Sequence, residues 1–328
     1  FYGAMVAEGI VAFILAAAVI VGRVASWLYL PKYLCKISVR ELQPFRNFSV
    51  ILVFFIPHIA TQLYTIVAQV MLGKMMETTV ESGYFAQADR IIKLCLAVLM
   101  SITAVISPRI ARCYARCDWE GIIRYVKKTA NFLWMLGLPL ACGIFAVIPT
   151  VIPWFLGAGY EKVVFLVRVF CILILLHGTV GSIGSLYLVA VEKQKQYALT
   201  IVVGTVINII LNALLITKFQ SLGAAIASLL AEFVIDILLL YMMRDRIRLG
   251  YLLSPIVKYI APSAVMLGVL MFLLDKVGTG FTDTVLLVAV GMAVYFGLLL
   301  IFKEPFFMEN LRSVLSSVLS RIKKKGEK

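Results

Sequence analysis

The sequence predicts an all-α integral membrane protein, a polytopic bundle of about nine transmembrane helices, and three observations carry that prediction. First, of 328 residues 62% are hydrophobic and 15% charged, with a mean hydropathy of +1.00. An ordinary soluble domain is about 45–50% apolar and about 25% charged, so too little polar surface is present to cover a water-soluble core. Second, nine apolar stretches reach or approach the roughly 20 residues that a helix needs to cross a bilayer. Third, the 31 Lys and Arg, which outnumber the 17 Asp and Glu to give a net charge of +14, fall in alternate loops. A soluble enzyme and a disordered chain are excluded, and nucleic acid is not needed to explain the basic excess.

The nine stretches are Ala4–Leu30, Asn47–Gly73, Ile91–Ile106, Thr129–Pro149, Val163–Ala190, Tyr197–Thr217, Leu222–Met243, Tyr259–Leu274 and Thr284–Phe302. The first carries Glu8 and lacks a basic leader, so it does not read as a signal peptide. Because the chain starts at Phe1, its numbering is expected to begin inside a longer protein. The third and eighth stretches are short and are expected to extend a turn into their flanks. Loops on one side, Pro31–Arg46, Pro108–Lys128, Val191–Gln196, Arg244–Lys258 and the tail from Lys303, hold 23 of the basic residues. Loops on the other side, of which Lys74–Arg90 is the longest, hold five. Cytoplasmic loops carry the excess of Lys and Arg. Residue 1 is therefore expected outside and the C-terminus in the cytoplasm. In the tail, Phe307, Leu311, Val314, Leu315, Val318 and Ile322 recur at helical spacing before Lys323–Lys325. That pattern predicts an amphipathic helix lying on anionic lipid.

Six cysteines and two histidines indicate neither a disulfide framework nor a metal site. No cofactor is expected, and no nucleophile with an evident base or glycine-rich phosphate loop suggests an enzyme.

Polar groups inside the spans are the functional candidates, because a charge at mid-bilayer costs on the order of 2.5–3.5 kcal/mol on insertion scales. His58, Gln62, Thr65 and Gln69 share one face of the second span. They line a water-filled path or bond to neighbouring helices, and the spacing does not choose. Lys93 in the third span and Arg168 in the fifth are candidates for meeting an anionic group. Ser228, Glu232 and Asp236 follow one another at i+4 in the seventh span. The two carboxylates could carry a proton or sodium ion, or pair with Arg168 or Lys93 to hold two helices together. Asn208 and Asn212 read as helix–helix adhesive. Gly178, Gly181, Ser182, Gly184 and Ser185 make the fifth span a close-packing surface.

Particular strings carry a resemblance. Phe55–Ala60 leads to Leu63–Thr65 and Met71–Gly73, then Gly83–Ile91 and Ser107–Arg109; later Asn208–Asn212 precedes Gly223–Ala227 and Ala231–Glu232. In this order and spacing they resemble the bacterial polysaccharide flippases, which handle O-antigen and capsule repeat units, of the multidrug/oligosaccharidyl-lipid/polysaccharide exporter superfamily. The resemblance implies fourteen spans in two six-helix lobes plus two C-terminal helices, of which these nine are the last. Residues 1–30 would then be the last helix of an N-terminal lobe and 31–46 the interlobe linker. Residues 47–243 would form the C-terminal lobe, 244–302 the two additional helices, and 303–328 the basic tail. Where relatives often carry an Asp-Lys pair after the Tyr-Thr string, this chain has Ala68–Gln69. The role of that pair is therefore not carried over.

The function so implied is alternating-access translocation of an undecaprenyl-pyrophosphate-linked oligosaccharide across the bacterial inner membrane. A polysaccharide polymerase and a chain-length regulator would be partners, along with membrane lipids. The alternatives are a peptidoglycan-precursor or multidrug exporter of the same superfamily and, from another class, a membrane-embedded polysaccharide polymerase.

Overall fold

In the computed structural model the described residues are 66–76 and 79–312, with single positions at Ile20, Val24, Phe55, Ile59, Gln62 and Ser316. Chain contacts divide the protein at Ile51 into two units, and every described helix belongs to the second, Leu52–Lys328. The first predicted span, most of the second, and the tail beyond 312 lie outside the described residues, apart from those single positions.

Every described element is helical. The elements are α1 (Ile66–Met75), α2 (Val80–Ala115), α3 (Trp119–Phe155), α4 (Glu161–Leu175), a six-residue π segment (Leu176–Gly181) and α5 (Ser182–Ala190). Then come α6 (Gln194–Met243), α7 (Leu249–Leu253), α8 (Ile256–Leu274) and α9 (Phe281–Ile301). Six helical stretches are long and apolar enough to cross a membrane. One of them, α6, is folded in two at Gln220, whose φ of 53° and ψ of −132° leave the helical region. Thr200 Oγ1 lies 3.4 Å from Met242 Sδ across the fold, so α6 is an antiparallel hairpin whose arms match the sixth and seventh predicted spans.

The third span is much longer than its apolar stretch. Lys74–Arg90 is mostly helix rather than loop, and the corner after α2 is confined to residues 116–118. Hydropathy marks only Ile91–Ile106, because the flanks are amphipathic: Phe85, Ala88 and Ile92 are buried while Arg90 and Lys93 point outward. At 37 residues, α3 runs for about 55 Å, well beyond a hydrocarbon core of about 30 Å. Helix α2 overruns its apolar stretch at both ends, and the surplus of α3 lies mostly toward the corner, where Asp118 caps α3 by accepting from Gly121 N at 2.8 Å.

Helix α3 is the axis of the bundle because it is apolar on two faces. Ile122, Val126, Ala130, Leu133 and Ala141 pack with α2, α4 and α5. Trp134, Met135, Leu138 and Val147 pack with α8 and α9. Two long-range hydrogen bonds fix the second contact, from Trp134 Nε1 to Leu252 O (2.7 Å) and from Tyr295 OH to Met135 O (2.7 Å). The outer surface stays apolar, with Leu94, Phe165, Leu214, Phe233, Val257 and Ile301 exposed, as suits helices bathed in lipid.

The loops gather at two ends as the alternating charges require. At the weakly charged end, Lys162 Nζ meets Glu81 Oε1 (2.6 Å) and Gln220 Oε1 (3.0 Å), while Ser221 N donates to Glu81 Oε2 (3.2 Å). At the basic end, Arg246 stacks on Trp119, Lys127 on Tyr251, and Lys258 lies 3.5 Å from Glu304. The start of the predicted amphipathic tail docks on the bundle, Phe306 edge-on to Phe132 and Phe307 stacked on Phe296.

Candidate functional site

The polar groups that the bundle brings together lie between the π segment and the second arm of α6. His177 Nδ1 is 2.5 Å from Glu232 Oε1. A methyl group placed on Gly181 would stand 3.1 Å from Asp236 Oδ1, 3.3 Å from Glu232 Oε1 and 3.4 Å from His177 Nδ1. The three side chains therefore converge on the bare face of that glycine. The extra residue of a π turn re-aims side chains within a helix, and here the π segment spans both His177 and Gly181. One turn on, Gly184 lies against Leu239, so the predicted close-packing surface is the one facing this arm.

Exposure grades through the cluster. The side chain of His177 is 33% exposed and that of Glu232 8%, and Asp236 is 3% exposed as a residue. Neither carboxylate oxygen of Asp236 has a hydrogen-bond partner, a costly state for a group out of water. Glu232 and Asp236, expected to bind an ion or to pair with Arg168 or Lys93, have His177 as the neighbour that sequence reasoning did not assign to them. The two residues are 55 positions apart in the chain, and a lone histidine in an apolar span carries no signal of its partner. Among the described residues no group of His, Cys, Asp and Glu has the arrangement of a metal site.

Asn212 Nδ2 donates to Asn208 Oδ1 at 2.8 Å, both residues being fully buried. They continue, at four-residue steps, the face on which Gly204 meets Ile235, but the bond stays within one arm of α6, and Asn208 Nδ2 and Asn212 Oδ1 have no partner. Lys93 pairs with Asp89 at 2.7 Å with its side chain half exposed. Gln69 gives its backbone carbonyl to Ser82 Oγ (3.1 Å), Gln62 is exposed, and His58 lies outside the described residues.

Arg168 has a structural employment. Its Nε donates to Phe145 O at 3.1 Å and its guanidinium lies 4.9 Å from the Phe145 ring centroid. Four residues beyond Phe145 stands Pro149, which has no N–H to give that carbonyl. Arg168 thus supplies the missing donor. Arg168→Ala is expected to destabilise the protein by about 1–3 kcal/mol, the cost of a buried acceptor left unsatisfied. In a Pro149→Ala background, where a backbone N–H returns, the loss should shrink by about 1 kcal/mol, measured as a double-mutant cycle on thermal unfolding.

Likeness to known proteins is consistent with a transporter bundle of this kind. The family model described as lipid II flippase MurJ matches residues 2–291. The chain belongs to the MurJ lipid II flippase family. Among solved structures, it is similar to a lipid II flippase MurJ in an inward closed conformation, with 18% identity, a TM-score of 0.61, and coverage of 82% of this chain and 57% of that one. It is also similar to a multidrug resistance MATE transporter of the MOP superfamily in an outward-facing conformation (19% identity, TM-score 0.55, 76% of this chain and 63% of that one). A MOP superfamily transporter from Pyrococcus furiosus gives 20% identity, a TM-score of 0.52, and the same coverages of 76% and 63%. At such identities the likeness is one of fold. The chain spans 57% of the first structure's length. No curated protein matches it. The superfamily resemblance read from the strings holds, and MurJ membership makes the chain part of a transporter family and not an enzyme family. The family shown is the peptidoglycan-precursor branch, which the sequence offered as its alternative; the O-antigen and capsule specificity gains no support.

Proposed function

We propose that the protein takes part in moving a lipid-linked peptidoglycan precursor, lipid II or a close chemical relative, across the cytoplasmic membrane by alternating access. Family membership over residues 2–291 carries this reading. The chain supplies a rigid helical bundle, and a second bundle of the transporter would complete the path between leaflets. Gln62 and Gln69 belong to the second predicted span and Lys93 to the third, where sugar hydroxyls and a pyrophosphate would be met; His58 belongs to the stripe of Gln62 and Gln69 by sequence. The His177–Glu232–Asp236 cluster is the cation-coupling element, loading and releasing a proton as the bundle changes state.

The strings shared with polysaccharide flippases favour one competing reading, a repeat-unit cargo with a polymerase and a chain-length regulator as partners. Depleting the protein in its own cell separates the two. Lipid II should accumulate on the cytoplasmic face, read by protection from an externally added lipid II-cleaving toxin, while surface polysaccharide precursors continue to be exported. Normal lipid II export with stranded repeat units would overturn the proposal in favour of its competitor.

A further inference from the structure

The corner that joins α2 to α3 carries a groove that the transport reading does not use. Its volume is about 520 Å³, and its walls come from the basic-end halves of both helices, with Asn310 at one edge. The helices run antiparallel from the Asp118-capped corner, so residues at equal distances from it lie side by side. That arrangement sets Arg109 of α2 near Arg124 and Lys128 of α3, about 15 Å or less along either helix from the turn. Deeper in, the lining changes to Ile102, Val105 and Phe132. The groove is thus cationic at its mouth and apolar along its length.

Three other cations at this end have partners within the bundle: Lys127 on Tyr251, Arg246 on Trp119, Lys258 beside Glu304. Among the described residues, Arg109, Arg124 and Lys128 have no acidic partner, and no carboxylate lines the groove. The protein's own tail beyond residue 312 is a poor occupant, because it carries Arg321, Lys323, Lys324, Lys325 and Lys328 against the single Glu327 and would be repelled.

We infer that this groove binds one anionic phospholipid of the cytoplasmic leaflet, its phosphate held by Arg109, Arg124 and Lys128 and the upper part of an acyl chain lying on Ile102, Val105 and Phe132. Charge and apolarity together specify an amphiphilic anion, and the depth at which they change matches a headgroup above a chain. Basic residues at the anionic leaflet attract such lipids. Nearly all of the wall belongs to one capped helical corner, so the site is preformed and needs no second bundle to close it. That suits a resident lipid rather than a cargo, which has to be released in every cycle. The proposal does not rest on the transport reading, and lipid binding can be measured without transport.

The test uses the purified protein in neutral detergent, titrated with phosphatidylglycerol or phosphatidylcholine and read by native mass spectrometry. Phosphatidylglycerol should bind as a single retained lipid and phosphatidylcholine should not. The triple variant Arg109→Gln/Arg124→Gln/Lys128→Gln should weaken phosphatidylglycerol about tenfold or more. Val105→Trp, which fills the apolar length while leaving every charge, should weaken it similarly. Lys193→Gln/Lys195→Gln/Arg248→Gln removes the same charge from elsewhere on the same end and should change binding less than about twofold. An equal loss in that control would overturn the site in favour of diffuse attraction. Unimpaired binding by Val105→Trp would overturn the groove. Displacement of phosphatidylglycerol by inorganic pyrophosphate would reduce the site to an anion patch, and competitive displacement by lipid II would make it a cargo site; either result overturns the resident-lipid assignment.

Discussion

Gly223→Ala is expected to abolish most folded protein, an outsized effect for one methyl group. The methyl would overlap Leu215 O and stand 2.5 Å from Leu215 C, atoms of the opposing arm's backbone. A backbone carbonyl inside a helix cannot swing away as a side chain can. The arms of α6 would have to separate just below the turn at Gln220, carrying Ser221 away from Glu81 and the buried asparagine pair away from its packing face. Overpacking a core costs about 1–3 kcal/mol when side chains can adjust, and the loss here should exceed that range. Gly204→Ala is the internal comparison. Its added methyl would overlap Cγ1 and Cδ1 of Ile235 just as closely, but these are the outer atoms of a side chain that can change rotamer. That variant should fold, with a loss inside the same range of about 1–3 kcal/mol. Fluorescence-detected size exclusion with a thermal ramp reads both. Equal behaviour of the two variants would show that the close approach at Gly223 is not the constraint on the hairpin.

The sequence carried most of the architecture because the membrane simplifies the problem. Inside lipid every backbone group must bond within its own helix, so apolar stretches and alternating loop charges suffice to place helices and sort their ends. The arms of α6 matched the spans Tyr197–Thr217 and Leu222–Met243 for that reason. Where polar residues enter a helix, hydropathy stops short: Val80–Arg90 and Ser107–Ala115 belong to α2 but lie outside its apolar stretch, well beyond the one-turn extension expected of it. Their helicity is secured by a buried stripe with exposed charges, a periodic signal that a mean over the window erases.

The site was legible as a list of residues and not as a set of partnerships. Glu232 and Asp236 stood out because carboxylates in a membrane helix demand an explanation. That His177 answers Glu232 depends on the π segment turning it toward the second arm, and Leu176–Gly181 has no signature separating it from an ordinary helical turn. Arg168 shows the opposite case. In the sequence it is a cation in search of an anion, whereas in the fold it meets a carbonyl orphaned by a proline on another helix. Only the helix neighbours could reveal that exchange.

The second large effect concerns the cluster itself, and here stability and transport should part company. Asp236 holds two buried oxygens without partners, so Asp236→Asn removes a charge that the fold does not satisfy and should leave the unfolding temperature unchanged or raised. Glu232→Gln keeps an acceptor for His177 Nδ1 at nearly the same volume and should cost at most about 1 kcal/mol. Glu232→Leu removes the acceptor as well and should cost about 3 kcal/mol, the consequence of stranding a buried partner. If the cluster were only a clamp between helices, activity would follow this order, with Asp236→Asn and Glu232→Gln close to the parent. A group that must gain and lose a proton makes another demand, because neither Asn nor Gln can do so. Both amide variants should then slow lipid-linked precursor flipping by about tenfold or more, the scale of a lost step worth at least about 1.4 kcal/mol, while remaining folded and inserted. Flipping measured with and without an imposed pH gradient should respond to the gradient in the parent and not in Asp236→Asn. Parent-like flipping by both amide variants would reduce the cluster to packing and remove the coupling role proposed for it.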